Sequence, residues 1–153
     1  MTRVRAVWVA LALVAAATTM AAQAKPNFSG TWIQLSPADQ AGETIVISHD
    51  AATLVEQHAS EGGGHVRKFQ LDGAEHTSAP VGMGSGHEMV TKHKASWTGS
   101  TLVVSETTDY QNGFHRVAKS EWSLDDKGQL VLNFSGNMPD GSQMKMTMVY
   151  RKK

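Results

Sequence analysis

Residues 27–32, Asn27-Phe28-Ser29-Gly30-Thr31-Trp32, decide how the rest of the chain reads. They place a Gly-x-Trp on the first β-type run, directly after a segment built like a secretion signal. Arg3 and Arg5 give that segment a basic start, and Ala6 to Ala17 an apolar stretch. Ala22-Gln23-Ala24 follows as a small-x-small cleavage site. The expected arrangement is therefore a signal peptide over 1–24 and one domain over 25–153, located in the periplasm or secreted. The apolar stretch is too short to cross a bilayer, and no later one is long enough. With no cysteine beside the cleavage site, a lipoprotein anchor is excluded.

Outward from Trp32 the chain alternates apolar and polar residues in short runs separated by turn residues, the period of β-strands. Phe28 to Leu35, Glu43 to Ser48, Thr53 to His58 and His65 to Leu71 read as strands. A Gly-rich stretch from Ala74 to Gly86 reads as a loop with one short strand near His76. Glu88 to Trp97 and Thr101 to Thr108 pair across Thr98-Gly99-Ser100. Phe114 to Leu124 and Gln129 to Ser135 pair across Asp125-Asp126-Lys127-Gly128, and Ser142 to Arg151 closes the chain. No segment of a dozen residues has helical periodicity. The pattern predicts an all-β, up-and-down antiparallel meander of about 8–10 strands. Closing it into a barrel, with the last strand on the first, removes two bare edges.

Bulk composition narrows the partners. The 153 residues carry 14 basic and 14 acidic side chains, and losing Arg3 and Arg5 leaves a slight acidic excess. That surface has no footprint for nucleic acid and no polybasic patch for a membrane. The chain has no cysteine, so packing alone must hold the fold. A domain of this length buries roughly two-thirds of its unfolded surface, enough for one core.

Gly30-Thr31-Trp32, with Arg151-Lys152 at the end of the last strand, resembles the calycin superfamily: lipocalins, fatty-acid-binding proteins and avidins. The resemblance implies that Trp32 caps one end of the barrel and that Arg151 stacks across it as a cation–π contact. The chain also looks similar to small exported bacterial lipocalin-like proteins, a group without a settled activity. That likeness runs through Asn27–Trp32, Leu71–Thr77, Trp97–Val104, Glu121–Leu124 and Val149–Lys152. The cysteine pair common in secreted lipocalins is absent.

Candidate site residues follow from the alternation. Met144, Met146, Met148 and Tyr150 share one face of the last strand, so they fill a barrel interior or line an adaptable apolar pocket. His93 shares a face with Met89, Thr91, Ala95 and Trp97, where a buried imidazole needs a partner and can serve as a polar handle. Arg67 lies on the face of Phe69 and Leu71, and Arg116 on that of Phe114 and Trp122. An inward guanidinium can hold a carboxylate, as in fatty-acid-binding proteins. Gly62-Gly63-Gly64-His65 and Gly84-Ser85-Gly86-His87 each set a histidine at a strand start. Brought to one mouth near Glu61 or Glu88, His65 and His87 would form a Zn or Cu site.

Catalysis finds no support: there is no cysteine nucleophile, no Gly-x-Ser-x-Gly elbow and no phosphate loop. Acidic residues such as Glu88, Glu106, Asp109 and Glu121 fall on different strands with nothing in the pattern to unite them. The expected function is a non-catalytic barrel binding a small apolar or amphipathic molecule, without a cofactor. A metal-binding protein using strand-end histidines, or a barrel filled by its own side chains and acting through its surface, stand as alternatives.

Overall fold

The computed structural model describes residues 24–59, 64–78 and 90–153. The signal-type segment (1–23), Glu61, the stretch 79–86, His87, Glu88 and Met89 lie outside the described residues. Ten strands form among the described residues: β1 (Gly30–Ser36), β2 (Thr44–His49), β3 (Thr53–Ala59), β4 (His65–Gln70) and β5 (Glu75–Ser78). They continue as β6 (Val90–Thr98), β7 (Thr101–Asp109), β8 (His115–Leu124), β9 (Leu130–Asn137) and β10 (Gln143–Lys152). One 3-10 turn, Ala38–Gln40, interrupts them, and no α-helix occurs among the described residues. The tight turns use local side-chain chemistry. Asp125, for example, accepts hydrogen bonds from the backbone N–H of Lys127 and Gln129, which reverses the chain between β8 and β9.

All pairings are antiparallel, in the order β4-β3-β2-β1-β10-β9-β8-β7-β6-β5. First and last strands do pair, as a closed meander requires, but they meet in the middle of the sheet. Its two edges are β4 and β5, consecutive in sequence and not hydrogen-bonded as a ladder. The sheet curls until β4 touches β6, giving a nearly closed ten-stranded barrel.

Period-two alternation sorts the side chains. Trp32, Ile45, Ile47, Leu54, Phe69, Leu102, Val104, Trp122, Leu130, Leu132 and Tyr150 are buried inside. One end is packed solid. Phe28 lies between Trp97 (ring centroids 5.8 Å apart) and Trp122 (6.4 Å), and stacks on His49 at 5.5 Å. The indole N–H of Trp32 donates to the Phe28 carbonyl at 2.8 Å, so the buried aromatic end leaves that donor satisfied.

The cation over Trp32 is Lys152, not Arg151. Tyr150 points inward, so the next residue faces out and the one after it returns inward. Arg151 pairs with Ile33 and is exposed. Lys152 sits opposite Trp32 in register, with its Nζ 5.5 Å from the ring centroid. Gly30 makes room for this contact: a Cβ there would lie 2.6 Å from Lys152 Cε. The lysine tail can move, but Gly30 also holds φ at +141°, which other residues adopt only with strain. Gly30→Ala is therefore expected to cost about 1–3 kcal/mol. A urea midpoint equal to the parent's would contradict this account of the first strand.

Candidate functional site

The end opposite the aromatic plug, the mouth, is lined by charged and polar residues on the same inward parity. β3 carries Leu54, Glu56 and His58 inward, and β4 sets Phe69, Arg67 and His65 opposite them. Arg67 donates to Glu56 Oε2 from Nη2 at 2.6 Å and from Nε at 2.8 Å. Its Nη1 reaches Glu106 Oε2 on β7 at 3.3 Å. The second oxygen of Glu56 lies 2.7 Å from His58 Nε2, and His65 stacks on His58 at 4.2 Å. Glu56 is only 1% exposed. Burial pushes its carboxyl up, but the Arg67 guanidinium and His58 together hold it below the usual range. The phenol of Tyr150 is pushed up by burial and by Glu56 and Glu43, so it stays protonated and hydrogen-bonds the Met148 sulfur at 3.4 Å.

His93 is buried, and both its ring nitrogens have partners. Nδ1 lies 2.9 Å from the Ser78 hydroxyl on β5, and Nε2 lies 2.9 Å from Gln70 Oε1 on β4. Phe69 meets the ring edge-on at 5.4 Å, and His76 stacks against it at 5.8 Å. Burial and the neighbouring His76 lower its pKa, with Asp72 opposing them. The imidazole thus binds strands together; with both nitrogens engaged it presents no free polar atom to a ligand.

Arg116 is placed differently. It shares inward parity with Ala118, Ser120 and Trp122 on β8, and its guanidinium lies over Phe134 of β9, 5.4 Å from the ring centroid. Phe134 can lie against the wall because residue 136 is glycine: a Cβ there would sit 3.3 Å from the tip of its ring. Met146 pairs with Phe134 and Met144 with Gly136, so β10 continues the apolar surface, and Met148 reaches the core. Among the described residues no carboxylate lies within ion-pair distance of Arg116, whereas Arg67 has two. Of the two arginines read as carboxylate binders, Arg67 is engaged and Arg116 is available.

The histidine pair cannot be assembled from the described residues, since His87 lies outside them, and His65 is found against His58. No group of three His, Asp or Glu positioned to hold a metal ion occurs among the described residues. Glu106 was expected to meet other acids only by chance, yet it joins Glu56 on a shared arginine. Asp109 pairs with His115, and Glu121 with Lys119 on the outer face. Glu56, Gln70 and Ser78 were absent from the sequence candidates. Glu56 had a signal: it falls on the inward parity set by Leu54. A groove of about 280 Å³ on the outer wall is lined by Lys119, Glu121, Ser135 and Lys145, and it also touches Phe134 and Met146.

Replacing Arg67 would leave Glu56 buried with only His58 beside it. Arg67→Met is expected to cost about 3 kcal/mol, the low end for breaking a buried pair because Arg67 keeps a third of its side chain in water. Urea unfolding at neutral pH measures it. A loss below about 1 kcal/mol, the value of an exposed pair, would contradict the buried network.

No family model matches the sequence, and no curated protein matches it. Among solved structures the chain is similar to a REP1-NXSQ fatty acid transporter, with a TM-score of 0.57 at 13% sequence identity. The match covers 82% of this chain and 95% of that one. This likeness bears on the fold alone, a nearly closed antiparallel β-barrel.

Proposed function

We propose that this chain is an exported, non-catalytic barrel that binds a small amphipathic anion in the mouth half of its interior. Arg116 takes the anionic group, and Phe134, Met144, Met146 and Met148 take the apolar portion. One observation carries the reading: an inward guanidinium 5.4 Å from the centroid of the Phe134 ring, with methionines on the strand paired to Phe134 and no carboxylate partner among the described residues. A guanidinium in that setting recognises a carboxylate, sulfonate or phosphate through charge-assisted hydrogen bonds. The solved structure of similar fold is described as a fatty acid transporter, which fits an acyl carboxylate. Export rests on the basic, apolar and small-x-small pattern of residues 1–24. The mouth carboxylates Glu56 and Glu106 are tied to Arg67, which supports binding over turnover.

A second reading, a barrel filled by its own side chains, draws on the aromatic plug and on the groove's position on the outer wall. Titration with a fluorescent anionic amphiphile, an anilinonaphthalene sulfonate, separates the two. The parent is expected to show saturable uptake, weakened about ten- to hundred-fold in Arg116→Ala, the effect of losing one bond to a charged group. Absence of saturable uptake by the folded parent would favour the filled barrel. Equal affinity of Arg116→Ala would remove Arg116 from the site.

A further inference from the structure

Among the described residues the barrel wall has one line without a backbone ladder, between β4 and β5. Side chains close it. Arg67 of β4 crosses to Glu106 of β7, and Gln70 of β4 reaches Ser78 of β5 through His93 of β6. Phe69 of β4 meets the edge of the same imidazole. A single backbone bond, Gly73 N–H to Ala95 carbonyl at 3.0 Å, ties the intervening turn to β6. Every other pair of neighbouring strands is joined by a backbone ladder, with one irregularity between β1 and β10 at Gln34 and Ser36. The seam is therefore the weakest line in the wall, and the opposite end of the lumen is blocked by Phe28, Trp97 and Trp122.

We propose that this seam is a side door into the lumen, latched by the Gln70–His93–Ser78 relay while His93 is neutral and released when His93 takes up a proton. In the neutral ring one nitrogen donates and the other accepts, matching a Gln oxygen on one side and a Ser hydroxyl on the other. The proton converts the acceptor into a second donor, and the Ser78 hydroxyl must turn over to accept from it, so the strain on the latch comes from the charge rather than from a lost bond. The proton creates a cation in a site only 3% exposed. The charged and titratable groups around the ring are mixed. His76 of β5 repels an imidazolium and Asp72 of the turn attracts it, while Arg67 of β4 lies over the Phe69 ring with its charge paired to Glu56 and Glu106. Glu106, opposite His93 in the β6–β7 register, is held by Arg67, and Asp72 is held by His76 at 3.0 Å. Both nearby anions are thus already paired. Letting water reach the ring by parting β4 from β5 and β6 relieves the buried charge. The lowered pKa of His93 agrees with this cost.

The latch can be read without any ligand, so its failure and that of the binding site are distinguishable. Hydrogen exchange of the intact protein, corrected for intrinsic rates, is compared between about pH 7.5 and about pH 5, the window of histidine titration. Amides of the β3–β4 and β5–β6 pairs are expected to lose about ten-fold in protection on acidification, with β8–β9 amides unchanged. In His93→Gln, which keeps a donor and an acceptor but cannot titrate, that selective loss disappears. Ser78→Ala, which removes one bond of the relay at a half-exposed position, raises β5 exchange already at the higher pH. A loss spread equally over all strands, or one that persists in His93→Gln, would overturn the proposal.

Discussion

A sheet of ten strands has two edges, and in this chain they are consecutive strands, β4 and β5. Unpaired edges expose backbone donors and acceptors, so the barrel must be closed some other way. Here Arg67 performs that role in concert with Glu56 and Glu106, tying β3, β4 and β7 into one charge network. The network stands at the depth where the interior changes character. Toward one end lie Phe28, Trp32, Trp97 and Trp122; toward the other lie His58, His65, Thr108 and Arg116.

That division shapes the functional reading. The aromatic end is packed by Phe28, Trp97 and Trp122, the indole donors of Trp32 and Trp122 are satisfied, and Lys152 lies over Trp32. Among the described residues no buried side-chain polar atom lacks a partner. The polar interior is thus mostly self-satisfied, and what separates Arg116 from the rest is its partner: a π face rather than a carboxylate. A guanidinium carries five donors and no acceptor, and a π face satisfies none of them as a carboxylate would. The thioethers beside it adapt to varied apolar shapes.

Strand positions, the low helix content and the first-to-last pairing were all legible in the alternation and the turns. The short strand at Glu75–Ser78 was legible too, within a stretch otherwise poor in pattern. The cation over Trp32 was misassigned because a motif was carried over by likeness, although parity counted from Tyr150 already pointed to Lys152. Arg67 and Arg116 could not be told apart in sequence, since both sit on inward parity. Their partners come from remote positions: Glu106 is thirty-nine residues from Arg67, and Phe134 is eighteen from Arg116. His93 was correctly read as inward, but its partners Gln70 and Ser78 become neighbours only when the sheet curls back on itself. Local periodicity specifies which way a side chain points; closure of the barrel decides what it meets.

The central claim is that the interior accepts an amphiphile through its anionic group at Arg116. Native mass spectrometry tests it directly, with the detergent-free protein incubated with an acyl carboxylate and the alcohol of equal chain length. The account predicts a one-to-one complex with the carboxylate that is retained in preference to the alcohol. A bare mass with both, or equal retention of the two, would contradict it.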